Sequence, residues 1–88
     1  MRLVCVWRDN TDYAREVTEW IADFEFQTGK TVESLDPDTA DGEIFVTAHD
    51  LLEYPAVVVL NDDGVVMHEW KGRPLPQIDE VLYYVKGE

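Results

Sequence analysis

Only one cysteine, Cys5, occurs among the 88 residues. It cannot close a disulfide within the chain, and nothing points to an oxidising compartment. Basic residues are also few: seven Lys and Arg face nineteen Asp and Glu, leaving a formal net charge of −12. That balance argues against nucleic acid and against a membrane surface as partners, because Lys and Arg supply most of the affinity for phosphates and anionic lipid. The two histidines, His49 and His68, lie a strand and a turn apart and lack ligand spacing, so no metal centre is expected. Asp36, Asp38 and Asp41 fail the spacing of a calcium loop and read as turn and cap residues. No apolar run approaches the length of a membrane span, and no signal-peptide cleavage region precedes the first strand pattern. A cytoplasmic location is the expectation. No linker, repeat or low-complexity stretch divides the chain, whose length suits one domain over residues 1–88.

What is present is a regular alternation of elements. Residues 2–7 are apolar on both alternating sets, Leu3, Cys5 and Trp7 against Val4 and Val6, as in a central strand covered on two faces. Asp9, Asn10, Thr11 and Asp12 then offer successive N-caps for a helix whose apolar stripe is Tyr13, Val17, Trp20, Ile21 and Phe24, with Gly29 as its stop. Thr31 to Leu35 reads as a short second strand, placed parallel to the first by a right-handed crossover. Asp38 to Asp41 cap a second helix over Gly42 to Asp50, with Ile44, Phe45 and Ala48 at helical spacing. Ala56 to Leu60 is the strongest strand signal, and Asn61-Asp62-Asp63-Gly64 turns it into an antiparallel fourth strand, Val65 to Trp70. Pro76 suits a first helical turn, and Ile78, Val81, Leu82 and Val85 form a last amphipathic stripe before Gly87. The order is β-α-β-α-β-β-α, an α/β chain.

The segment Leu3-Val4-Cys5-Val6-Trp7-Arg8-Asp9-Asn10-Thr11-Asp12-Tyr13-Ala14-Arg15 aligns without a gap on the strand, tryptophan, loop and helix start that carry the CxxC pair of thioredoxins. Together with Tyr54-Pro55-Ala56 before an apolar strand and an Asn-Asp-Asp-Gly hairpin, it resembles the thioredoxin-like superfamily in its short, glutaredoxin-sized form, over essentially the whole chain. The resemblance implies a four-stranded mixed sheet flanked by helices, with a cis proline at Pro55 lying against the former active-site loop. It also implies a loss, because Thr11 and Ala14 stand where the two redox cysteines would be. Dithiol exchange needs both thiols, one of them a low-pKa thiolate.

Cys5 itself sits in mid-strand, where a thiol behaves as a small hydrophobe. No catalytic residue and no cofactor are therefore expected, and Asp9, Asp12 and Glu16 at the helix start disfavour an anion such as glutathione. The expected role is that of a binding or adaptor module. Its candidate face is Trp7, Thr11, Tyr13, Tyr54 and Pro55, aromatic material of the kind that anchors protein partners, facing a protein or basic peptide. The alternatives are a degenerate thiol- or glutathione-dependent oxidoreductase or transferase using Cys5, or Thr11 and Tyr13, and a structural role as a homo-oligomer through the edge of the fourth strand. A monomer or weak homodimer is expected.

Overall fold

The computed structural model describes residues 1–85. Seven elements follow one another: β1 (Arg2–Val6), α1 (Ala14–Thr28), β2 (Glu33–Leu35), α2 (Ala40–His49), β3 (Ala56–Leu60), β4 (Val66–Lys71) and α3 (Ile78–Val85). Gly87, expected to follow the last helix, lies outside the described residues. The strands form one mixed sheet in the order β2-β1-β3-β4, with β1 parallel to β2 and antiparallel to β3, and β3 antiparallel to β4.

Both central strands are apolar on both faces because each face is roofed. Leu3, Cys5, Val57 and Val59 point to a layer made by Val17 and Phe24 of α1 and Val81 and Val85 of α3. Val4, Val6, Ala56, Val58 and Leu60 point the other way, to Phe45 of α2 and to Leu51. Trp20 stacks on Phe24 and donates its indole N–H to the Pro76 carbonyl at 2.8 Å, tying α1 to the segment that enters α3.

Several boundaries differ from the sequence reading. β2 is three residues long instead of five, and β4 starts and ends one residue later than expected. α2 begins at Ala40, capped by Thr39, whose hydroxyl accepts the Gly42 N–H at 3.0 Å. Gly42 is thus inside the helix, for a packing reason: a Cβ there would lie 1.8 Å from the Asp36 carbonyl oxygen. Ile44 shares helical spacing with Phe45 but is 69% exposed, since only the Phe45 side of α2 meets the sheet. None of the four proposed caps of α1 serves. The N-cap position is Tyr13, without a side-chain cap bond. Gly29 does end α1, in the left-handed conformation. β4 carries a bulge: Val59 pairs with His68 and Leu60 with Val66, so Met67 is the extra residue.

Candidate functional site

The loops that leave β1, β2 and β4 and the one that enters β3 meet at one end of the sheet. Trp7 continues β1 by donating its N–H to the Leu35 carbonyl at 3.0 Å, and its ring is half-buried against the α1 layer. The chain then closes a tight loop on itself. The Thr11 hydroxyl donates to the Arg8 carbonyl at 2.8 Å instead of capping the helix, and the Tyr13 hydroxyl accepts the Arg8 N–H at 3.1 Å. Tyr13 is only 8% exposed. It therefore belongs to the core and to the wall of the loop, and of the predicted face it contributes support more than surface.

Across this loop the Tyr54-Pro55 peptide is cis, as the resemblance implied; Arg73-Pro74 is a second cis bond that was not foreseen. Pro55 is fully buried, and its carbonyl accepts the Gly72 N–H at 2.9 Å. Tyr54 is half-buried, and its hydroxyl donates to the Leu51 carbonyl at 3.0 Å. Among the described residues the backbone N–H and C=O of Tyr54 have no hydrogen-bond partner. What the structure leaves accessible is a narrow strip of Trp7, Thr11 and Tyr54, with Tyr13 and Pro55 beneath it.

Two arginines that sequence reasoning passed over shape the electrostatics of this end. Arg8 forms a bidentate pair with Asp38, with N–O distances of 2.9 and 3.1 Å, and its guanidinium lies 4.9 Å from the centre of the Tyr54 ring. The hydrogen bonds from Arg8 hold the Asp38 carboxyl below its ordinary value, and those same bonds raise the arginine. Arg73, between Gly72 and the second cis proline, reaches Asp12 and Glu16, each at 3.5 Å. The carboxylates expected to dominate the start of α1 are thus partly neutralised. The signal was weak but present: Arg8 lies inside the aligned loop, and both are among only seven basic residues.

Cys5 is fully buried in β1, and desolvation pushes its thiol up to about 12. It cannot supply a thiolate near neutral pH. Among the described residues no three His, Cys, Asp or Glu side chains come together to hold a metal ion, and no helix is long and apolar enough to cross a membrane.

No protein-family model and no curated protein matches the sequence. Solved structures do match its shape. Thioredoxin 1 from the thermophilic eubacterium Thermosipho africanus TCF52B superposes with a TM-score of 0.70 at 14% identity, over 99% of this chain and 92% of that one. A putative disulphide-isomerase from Bacteroides thetaiotaomicron gives a TM-score of 0.68 at 16% identity, over 98% of this chain and 77% of that one. The chain has a thioredoxin-like fold.

Proposed function

We propose that this protein is a non-catalytic thioredoxin-like module that binds an extended, basic segment of a partner protein on the strip formed by Trp7, Thr11 and Tyr54, over the buried Tyr13 and Pro55. The observation that carries this reading is the fate of the thiols. Both neighbours in structure bear redox names, whereas here the helix start holds Thr11 and Ala14, and Cys5 is sealed in the core. Burial of Cys5 also removes the geometric basis for a thiol-dependent enzyme, since the thiolate is the reactive species.

What supports binding is the backbone of Tyr54, whose unpaired N–H and C=O beside Pro55 can take up an added strand, a mode that needs no cysteine. The excess of carboxylates favours Lys or Arg in the segment, through steering that weakens with salt. An incoming cation would compete with Arg8 for Asp38 and for the Tyr54 ring.

The test is a titration of the labelled protein with an extended lysine-bearing peptide, followed by NMR. Shifts are expected at Trp7, Thr11 and Tyr54, and Tyr54→Ala should weaken binding by about 1–2 kcal/mol while the domain stays folded. Shifts confined to another face would overturn the reading. So would disulfide-reducing turnover above that of a Cys5→Ser variant.

A further inference from the structure

Outside the strip, a cluster of aromatic side chains joins β4 to α3. His68 and Trp70 alternate along β4 on the α3 side, opposite Val59 and Val57. The His68 ring stacks on Tyr84 with centroids 4.7 Å apart and meets Trp70 edge-on at 4.5 Å; Trp70 packs on Tyr84 at 5.6 Å, and Tyr83 on Tyr84 at 5.2 Å. These four rings and Glu80 line a shallow depression of about 230 Å³. Tyr83 is 71% exposed. A core-packing role does not account for it.

Among the described residues that line the depression, the formal charge is the carboxylate of Glu80. Glu80 sits in the first turn of α3, where its Oε1 accepts the Gln77 N–H at 3.1 Å, fixing the carboxylate beside the rings. Among the described residues no Lys or Arg lines the depression. Ring faces and a positioned carboxylate attract a cation, and a planar guanidinium suits both at once, stacking on the aromatics while its N–H fork meets the carboxylate. A nucleobase would also stack, but the phosphates that carry it are repelled by a net charge of −12.

We propose that the depression of His68, Trp70, Glu80, Tyr83 and Tyr84 is a docking site for an arginine side chain of a partner protein. It shares no lining residue with the strip of Trp7, Thr11 and Tyr54, so it stands or falls independently of that reading.

The experiment is an NMR titration of the full chain with a blocked Gly-Arg-Gly-Arg-Gly peptide, read at the Trp70 indole N–H and the rings of Tyr83 and Tyr84. Saturable shifts at these groups are expected, and a peptide with citrulline in place of arginine should produce none. Read at these groups, Tyr83→Ala and Glu80→Gln should each weaken binding about two- to fivefold, whereas Tyr54→Ala, which lies in the separate strip, should leave the affinity read at Trp70, Tyr83 and Tyr84 unchanged. Both altered residues are solvent-facing, and Gln at 80 retains an acceptor for Gln77, so the fold is kept. Equal shifts with the citrulline peptide, equal shifts with a uridine oligomer, or concentration-dependent shifts of the protein alone would overturn the assignment. So would unchanged affinity in both variants.

Discussion

Every residue of β1 and β3 except Arg2 is apolar and buried, whereas the loops at the end of the same sheet are held by Arg8 on Asp38, Arg73 on Asp12 and Glu16, and a set of side-chain-to-backbone hydrogen bonds. In the middle of the sheet, stability comes from apolar area removed from water and from close packing, so each side chain is difficult to replace. At the end, the ion pairs are solvent-exposed and each contributes little to stability. Such contacts can be exchanged for those of a partner without unfolding the domain. The difference separates the part of the chain that specifies the fold from the loops on which the proposed binding role rests.

That contrast can be broken most forcefully at Phe24, which is fully buried between α1 and the sheet. Phe24→Ala should cost about 3–5 kcal/mol in chemical denaturation, and a loss under 1 kcal/mol would mean that the core is not organised as described. Gly42→Ala comes next. Helix propensity alone would make alanine favourable, but its Cβ would strike the backbone of Asp36, so destabilisation of about 1–3 kcal/mol is expected. The clash also displaces the loop bearing Asp38, so the resonances of Arg8 should move.

Alkaline pH sharpens the comparison from the interior side. The folded thiol of Cys5 is raised from 9.0 to about 12, so the stability it contributes is full below the unfolded value and is lost as pH rises between the two. Denaturation curves at pH 8 and pH 10 should differ by about 1.4 kcal/mol more for the native chain than for Cys5→Ala. A native-state thiol that reacts with a labelling reagent as fast as a free cysteine would contradict its burial.

The smallest effect belongs to the exposed pairs. Asp38 and Glu33 have lowered values through hydrogen bonds from Arg8 and Arg2, so their contribution is present above the ordinary carboxylate range and fades as pH falls through the lowered values. Arg8→Ala should flatten only a small part of the melting-temperature decline between pH 5 and about pH 2. A large flattening would place Arg8 among the determinants of the fold.

The element order was legible because each central strand is an apolar run and α1 and α3 show stripes at the helical period, whereas of the α2 stripe only Phe45 is buried, Ile44 and Ala48 being exposed. The cis bond at Pro55 was legible from resemblance. The inward turn of Tyr13 was not, because a helix-start tyrosine can lie on either side of its loop, and only the Arg8 N–H settles which. Pairs such as Arg8 with Asp38 or Arg73 with Glu16 span about a third of the chain and about two thirds of it, and one-dimensional spacing carries no trace of them. Gly42 was misread for a similar cause: a glycine that permits close approach looks in sequence like one that begins a helix.

The bulge at Met67 bears on how this chain behaves at high concentration. β4 is a sheet edge, and a straight edge of six residues presents a row of open backbone groups on which a second chain could nucleate a fibril. Because Met67 is the additional residue opposite the step from Val59 to Leu60, the row is interrupted after its first residue and twisted, leaving too short a regular stretch to template cross-β growth.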